Sequence, residues 1–375
     1  MTKGKNNTMD ASRPTAVEVT NLTKHYGSVV ALDGVDLKIA AGEYFVLLGP
    51  SGGGKTTLLR TVGGFHRPTS GRVLLHGADV TDLPPDKRPT SMVFQSYALF
   101  PHMTVIGNVG YGLSLAKVPP NDIRAKSEAM LEMVGMKGYG ERKPHELSGG
   151  QQQRVQLARS LVLDRDILLL DEPLAALDAQ LRKDMCLELK HLQEKVGITF
   201  IHVTHNQEEA MTVADRIALI ADGRLVEQGS ARDVYEAPVK RFTASFVGEN
   251  NLLDGVVASV SKLKVSVDVG AGKISVERQG QDVSLGDKVS VSIRSELLQL
   301  ASDGGRAKAK GQGSIAGTFI ETVYLGLTTS YRVALENGVE LNVRAVSDGA
   351  RAFAPKAGQR VIVKWQDGAA RLHTN

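Results

Sequence analysis

The residues best suited to chemistry form a glycine-rich stretch near the amino-terminal end of the chain. Positions 49–56 match the pattern G-x-x-x-x-G-K-[ST], which forms a loop whose backbone N–H groups cradle phosphates. In such a loop Lys55 reaches the β- and γ-phosphates and the Thr56 hydroxyl binds Mg²⁺. The alternative is a glycine-rich turn that carries a lysine by chance. The predicted phosphate-binding residues are Gly49, Pro50, Ser51, Gly52, Gly53, Gly54, Lys55, Thr56 and Thr57.

Two adjacent carboxylates provide the second chemical signal. Asp171 and Glu172 follow the apolar run of residues 167–170 and precede Pro173. At the end of a buried strand, Asp171 is placed to hold Mg²⁺, and Glu172 to orient or deprotonate an attacking water. Acids at a strand end are also explained by solvation alone. The phosphate loop predicted in the same sheet favours the catalytic interpretation.

Three more side chains lie at strand ends or at a turn. Gln95 follows a strand at 92–94 and His205 follows one at 199–203, and ligands bind at the carboxyl ends of strands in open α/β sheets. His205 there is suited to contact a γ-phosphate or to align the water with Glu172. Tyr26, at a turn before the loop, is suited to stack on adenine. Each has a plain alternative: a loop glutamine, a structural histidine and a packing aromatic.

A second glycine pair opens a helix in the middle of the chain. Ser148 suits the N-cap, and Gly149 and Gly150 leave the first N–H groups open to an anion. Glycine costs a helix about 1 kcal/mol relative to alanine, so we expect this backbone to approach a ligand. Phosphate is the natural candidate.

The elements that position these residues alternate strand and helix over 15–240, which predicts an α/β domain with a mixed sheet and an antiparallel flank. His202 is predicted to lie in its core. Residues 96–146 are predicted to be mainly helical. An aromatic–aliphatic patch in this segment indicates either core or a groove for a partner helix; its members are Tyr97, Leu99, Phe100, Met103 and Val105.

The remaining segments have simpler patterns. Residues 1–14 are polar and predict a disordered tail. Residues 241–375 alternate with period two and contain the hairpin signal Asn337-Gly338, which predicts a small all-β barrel without a catalytic constellation. The apolar positions that carry this pattern are Leu263, Val265, Val267, Val269, Val289, Val291, Ile293, Tyr331, Val333, Leu335, Leu341, Val343, Val361, Val363 and Trp365.

Composition limits the classes of function. The chain has 375 residues, of which 42% are hydrophobic and 23% charged, and its formal net charge is +4. This length predicts more than one domain, and the small basic excess does not imply nucleic acid. The single cysteine, Cys186, excludes an internal disulfide and fits a reducing compartment. No run of the sequence has the length of a spanning helix, so a role at a membrane requires another chain.

The order of these motifs resembles the ATP-binding-cassette family of transporter ATPases over residues 15–240. The most specific element is L-S-G-G-Q-Q-Q-R at 147–154, the family signature. The resemblance implies an adenine-stacking Tyr26, a magnesium- and partner-sensing Gln95, a magnesium ligand Asp171, a catalytic Glu172, a D-loop Asp178 and a switch His205. Thr56 and Gln95 complete the implied magnesium site.

The resemblance also implies a homodimer that sandwiches two ATP molecules. Each nucleotide would lie between the phosphate loop of one copy and the signature of the other, with Lys55 and Gln95 assisting catalysis. The signature residues implied to contact ATP are Ser148, Gly149, Gly150 and Gln151. Ala175 and Asn206 depart from the common family residues without removing a phosphate or metal contact, although they bear on coupling between subunits.

Residues 241–375 resemble the TOBE region of importer ATPases, which implies a regulatory or dimerisation role. Residues 94–105 and 324–331 are most similar to spermidine/putrescine importer ATPases, with ferric-iron, sugar and phosphonate importers as close relatives. The implied partners are two integral membrane permeases and, indirectly, a solute-binding protein, at the cytoplasmic face of the cell membrane. The rival functions are a soluble cassette ATPase of DNA repair or translation, and a non-catalytic regulatory module.

Overall fold

The computed structural model describes residues 13–95, 99–278, 280–303, 312–347 and 355–374. The chain divides into two compact units, Met1–Arg232 and Asp233–Asn375, and each is described by itself. Most of the tail predicted at 1–14 lies outside the described residues, as does Tyr97 of the aromatic–aliphatic patch.

The first unit alternates strands and helices, as expected for an α/β domain. Its strands are β1 Thr15–Tyr26, β2 Val29–Ala40, β3 Tyr44–Leu48, β4 Ser70–Leu75, β5 Ala78–Asp79, β6 Thr90–Val93, β7 Ile167–Asp171, β8 Thr199–Thr204, β9 Arg216–Ala221 and β10 Arg224–Ser230. Its helices are α1 Lys55–Val62, α2 Val105–Leu115, α3 Pro120–Met133, α4 Gly149–Leu161, α5 Ala179–Val196 and α6 Gln207–Val213. A further helix, α7 Ala231–Glu236, contains the boundary between the units.

The central sheet of this unit has the strand order β10-β9-β3-β8-β7-β6. β3 pairs parallel with β8 and β9, β7 pairs parallel with β6 and β8, and β10 is antiparallel to β9. β3, β7 and β8 are buried along their whole length, because a parallel sheet is covered on both faces. The carboxyl ends of β3, β6, β7 and β8 therefore meet at one edge.

An antiparallel sheet of order β2-β1-β4-β5 flanks this core. The sequence predicts short strands at 29–32 and 35–39, and that division is wrong: both belong to β2, which runs unbroken from Val29 to Ala40. Gly34, at φ 61°, and register shifts between β1 and β2 absorb the irregularity, because a bulge can insert a residue without ending a strand.

The helical segment between β6 and β7 has an apolar core of its own. It is formed mainly by one face each of α2, α3 and α4, with Val109, Leu131 and Val155 at its centre. Two members of the aromatic–aliphatic patch are part of this core: Val105 is fully buried and Leu99 packs against it. Phe100 contacts the Tyr111 ring in a tilted arrangement, with ring centroids 4.7 Å apart.

The second unit is rich in β-structure, as predicted. After α8 Arg241–Phe246 come β11 Asn250–Val260, β12 Lys264–Asp268, β13 Lys273–Glu277, β14 Lys288–Arg294, β15 Gln299–Ser302, β16 Gln312–Tyr324, β17 Thr328–Ala334, β18 Glu340–Val346, β19 Arg360–Gln366 and β20 Ala370–His373. The described strands of this unit pair antiparallel in the orders β13-β12-β11-β14-β20 and β15-β19-β16-β17-β18.

Both sheets of the second unit contribute to one apolar core. The alternating positions predicted from the sequence are buried there, with Leu263 as the exception at 75% exposure. Leu263 precedes β12 rather than belonging to it, although its carbonyl oxygen accepts from the Arg278 N–H at 2.8 Å. Asn337-Gly338 does connect two paired strands, β17 and β18, with Gly338 at φ 84°. In the described part of the chain, no helix combines the length and apolar character needed to cross a membrane.

Candidate nucleotide site

The phosphate loop connects the carboxyl end of β3 to the amino end of α1. Gly49 has φ 153°, and a Cβ there would lie 2.0 Å from the Ile220 carbonyl oxygen. Gly54, at φ 102°, would place a Cβ 2.5 Å from the Ala31 carbonyl oxygen. Because any side chain would clash with fixed backbone, glycine is required at both positions. The loop consequently lies flat on β9 and β2, with the first turn of α1 following it, an arrangement that suits an anion.

Lys55 lies within the loop and is 4% exposed. Its ammonium donates to the carbonyl oxygens of Gly49 at 2.9 Å and Pro50 at 2.8 Å. Burial lowers the pKa of Lys55, and the nearby Glu172 and Asp171 carboxylates oppose that shift. The cation is therefore held at the loop entrance by weak acceptors that a phosphate oxygen, as a charged acceptor, would outcompete.

Thr56 and Asp171 meet at the centre of the site. The Thr56 hydroxyl donates to Asp171 Oδ1 at 2.9 Å, and Asp171 is 2% exposed. This set of oxygen atoms fits Mg²⁺, which prefers oxygen ligands, takes few from protein and keeps several waters. The described residues contain no cluster of three or more His, Cys, Asp or Glu that could hold a metal, so a magnesium site here would be completed by phosphate and water.

Arg60 is a member of the site that the sequence analysis missed. Its guanidinium donates to Asp171 Oδ2 through Nε at 3.2 Å and Nη2 at 3.1 Å. Arg60 follows Thr56 by four residues on α1, so both side chains lie on one helix face. That spacing was a signal that Arg60 would accompany Thr56.

Glu172 is the point where three strand ends converge. Its Oε2 accepts from Gln95 Nε2 at 3.2 Å, and its Oε1 lies 3.4 Å from His205 Nδ1. Glu172 has φ 47°, which is uncommon for a residue other than glycine. Its N–H donates to the Val203 carbonyl at 3.1 Å, which anchors this backbone to β8. The structure thus brings Gln95, Glu172 and His205 together beside Thr56 and Asp171.

The signature residues form the amino end of α4. Ser148 is the N-cap: its Oγ accepts from Gln151 N–H at 3.4 Å, while Gln151 Oε1 accepts from Ser148 N–H at 3.0 Å. This reciprocal capping box confirms the predicted helix start. Gly150 has a packing reason as well, because a Cβ there would lie 3.3 Å from the Leu181 side chain.

Two further predicted residues, Tyr26 and Asp178, make contacts apart from those around Glu172. Tyr26 ends β1 and is 45% exposed, with the Lys24 ammonium 4.9 Å from its ring centroid and the His66 ring at 5.8 Å. Asp178 is the N-cap of α5, and its carboxylate accepts from Leu181 N–H at 3.0 Å. Asn206, one of the two departures from the family pattern, caps α6 by accepting from Glu209 N–H at 3.1 Å.

Comparisons with known proteins agree with this geometry. The ABC transporter family matches residues 32–175, and the TOBE domain family matches residues 291–372. The chain is similar to the spermidine/putrescine import ATP-binding protein PotA of Roseobacter denitrificans, with 45% identity over 96% of this chain and 99% of the relative. The protein of the same name from Mesorhizobium japonicum is 43% identical over 95% and 97%.

Solved structures are similar to the first part of the chain. One is a dimeric structure of a post-hydrolysis state of the ATP-binding cassette MJ0796 bound to ADP and Pi, 33% identical, with a TM-score of 0.52 over 58% of this chain and 99% of that one. Another is cbiO1 from Clostridium perfringens, part of an ABC transporter complex, 30% identical, with a TM-score of 0.56 over 59% and 90%. The chain therefore belongs to the ATP-binding-cassette family of transporter ATPases, among its importer subunits.

Proposed function

We propose that residues 15–240 hydrolyse MgATP with the cluster built around Glu172. The observation that carries this proposal is the meeting of Glu172 with Gln95 and His205, one residue from the Thr56–Asp171 pair. In this assignment Thr56, Asp171 and Gln95 hold Mg²⁺. Bound Mg²⁺ would neutralise charge on the β- and γ-phosphates and so stabilise charge that develops in the transition state.

The other side chains of the site have separate proposed roles in ATP binding and hydrolysis. Lys55 exchanges its loop carbonyls for phosphate oxygens. Glu172 orients the attacking water and accepts its proton, and His205 fixes Glu172 and the γ-phosphate in line. Tyr26 stacks on adenine. Catalysis of this kind consists mainly of positioning and charge stabilisation, which preformed groups supply without reorganisation.

Two copies of the chain are proposed to share each nucleotide. Ser148, Gly149, Gly150 and Gln151 of one copy would cap the phosphates that the loop of the other copy holds. The amino end of α4 supports this assignment, because the Gly149 and Gly150 N–H groups precede the first helical hydrogen bond, from Gln152 to Ser148, and N–H groups at a helix start favour an anion. The dimeric cassette bound to ADP and Pi supports it as well. Asp178 is assigned to the contact between the copies.

The solute is proposed to be a polyamine such as spermidine or putrescine, imported through two membrane permeases fed by a solute-binding protein. The names of the similar importer proteins support this choice over ferric iron, sugar or phosphonate. The helical segment at 96–146 would contact the permeases at the cytoplasmic face of the membrane. Residues 241–375 are assigned a regulatory or dimerisation role.

A single substitution tests the catalytic assignment. Glu172→Gln keeps the size of the side chain and one acceptor oxygen but removes the proton acceptor, so we expect ATP binding within about threefold of wild type and turnover lower by about 10²-fold or more. Phosphate release and equilibrium nucleotide binding measure the two effects. Undiminished turnover would reject the assignment.

Uptake in cells tests the solute. Removing this chain from its natural host should abolish accumulation of labelled spermidine or putrescine, and leave that of ferric iron, maltose and phosphonate unchanged. Wild-type chain should restore uptake, whereas Glu172→Gln should not. Loss of a different solute would assign the importer to that solute instead.

A further inference from the structure

The helix that follows His205 carries a buried carboxylate. Glu209, on α6, is 5% exposed. Its Oε2 accepts from the Thr204 hydroxyl at 2.7 Å, and its Oε1 lies 3.4 Å from Arg182 Nε on α5. Burial raises the pKa of Glu209, while Thr204 and Arg182 oppose that shift. A carboxylate is retained at such depth only where partners compensate for lost hydration.

One arm of this contact leads to His205. The Thr204 oxygen that donates to Glu209 also accepts from Asn206 N–H at 2.9 Å. Asn206 in turn accepts from the N–H of Glu209 at 3.1 Å. His205 therefore lies between Thr204, which the Glu209 carboxylate holds directly, and Asn206, which bonds to the Glu209 backbone and to the Thr204 oxygen, so the carboxylate acts on the His205 backbone through Thr204.

The other arm leads to Glu172. Arg182 donates to the Leu177 carbonyl through Nη2 at 2.7 Å and to the Leu174 carbonyl through Nε at 3.4 Å. Both carbonyls belong to the segment that follows Glu172 and Pro173. Within it the Ala175 N–H donates to the Glu172 carbonyl at 3.2 Å. This segment bonds to the Glu172 backbone, which has a left-handed conformation. Such a conformation persists only when its surroundings enforce it.

We propose that the Arg182–Glu209 pair is a positioning device that sets Glu172 against His205 across the ends of two strands. The pair touches neither nucleotide nor water in this account, and it acts only through the residues on each side of the 3.4 Å contact between Glu172 and His205. The proposal rests on the proposed function, because it assigns a purpose to that contact.

A double-mutant cycle separates positioning from general packing. Arg182→Lys and Glu209→Gln are each expected to lower kcat about tenfold or more while the KM for ATP stays within about threefold. The double variant should lose little beyond either single one, because both remove the same contact. The matched controls are Lys183→Met and Glu208→Gln, an exposed pair at 4.0 Å on the same two helices, which should keep wild-type kcat.

Chemical rescue tests whether the guanidinium group itself supports kcat. Arg182 lines an open groove of about 490 Å³ between α5 and α6, so a small cation can reach its position. Guanidinium chloride at tens of millimolar should restore part of the kcat of Arg182→Ala, whereas equal sodium chloride should not. If Arg182→Ala does not fold, the milder cycle decides alone.

The outcomes are distinct. Wild-type kcat in both single variants, or additive losses in the double variant, would overturn the positioning role. A loss of kcat that follows the unfolded fraction in thermal scans would overturn it too. Glu172→Gln is measured alongside: if it retains turnover, the proposed function itself fails, whereas its inactivity beside fully active Glu209→Gln removes only the present inference.

Discussion

At the scale of single residues, the site depends on side chains whose surroundings set their charge and direction. Asp171 is paired with Thr56 and Arg60, and Glu172 is held in an uncommon backbone conformation at φ 47°. Backbone strain of this kind costs about 1–3 kcal/mol. Only the neighbours that fix Glu172 keep it in place, which is why a residue such as Glu209 matters for a reaction it does not touch.

His202 gives a prediction for stability at acidic pH. Burial lowers its pKa from 6.5 to about 3, so between these values the unfolded chain binds a proton that the folded chain does not. The contribution of His202 to the free energy of unfolding is fully present above pH 6.5. It is lost as pH falls toward 3, at roughly 1.4 kcal/mol per pH unit. Urea unfolding at several pH values measures the slope.

The variant His202→Gln is the comparison for this measurement. Glutamine cannot take up a proton, so the difference in unfolding free energy between wild type and variant should shrink steadily as pH falls below about 6.5. Contributions from carboxylates that do not contact His202 cancel in that difference, and Glu209, whose Oε2 lies 3.8 Å from His202 Nε2, is the one neighbouring acid among the described ion pairs of His202. A difference independent of pH would show that His202 is not buried in its neutral form.

At the scale of elements, the local patterns were enough to predict some features and not others. The N-cap at Ser148, the hairpin at Asn337-Gly338 and the burial of His202 are confirmed, because each depends on neighbouring residues or on the apolar strand that contains it. The partnership of Arg60 with Asp171 joins residues 111 positions apart. The spacing of Thr56 and Arg60 is a local pattern, but the contact of Arg60 with Asp171 depends on the packing of α1 against β7, and the continuity of β2 through Gly34 depends likewise on its pairing with β1.

The anchoring of α1 offers the second prediction. Arg88 is 1% exposed, and its guanidinium donates to carbonyls at the end of α1 and in the loops beside it: Thr61, Val62, Thr81 and Leu83. Arg88→Met would remove all four of these hydrogen bonds, including the two to the buried Thr61 and Val62 carbonyls, so we expect a loss of about 3 kcal/mol or more in the free energy of unfolding. Urea unfolding followed by far-ultraviolet circular dichroism measures this loss of stability.

An exposed arginine of the same region is the control for Arg88. Arg67 pairs with Asp82 at 2.6 Å, and both side chains are mostly exposed. Arg67→Met should change stability by no more than about 0.5 kcal/mol, because exposed ion pairs contribute little. Equal losses in the two variants would mean that the Arg88 hydrogen bonds do not anchor α1.

At the scale of the whole molecule, the proposed active unit is a pair of chains. Within one chain the phosphate loop follows β3 at the centre of its sheet, while the signature begins α4, whose Gln156 and Ser160 bond to the Phe94 and Met92 carbonyls around the end of the outer strand β6. The two halves of the proposed phosphate site thus belong to separate parts of the fold, and a symmetric pair of chains offers each loop a partner signature.

The central claim, that two copies share each nucleotide, is tested most directly by mixing two inactive variants. Lys55→Ala disables the loop and Ser148→Arg blocks the signature, so either variant alone should show little ATPase activity. In an equal mixture, half of the dimers contain one intact site, and turnover should recover to about a quarter of wild type. Turnover no higher than that of the separate variants, once exchange between dimers is shown, would contradict the account.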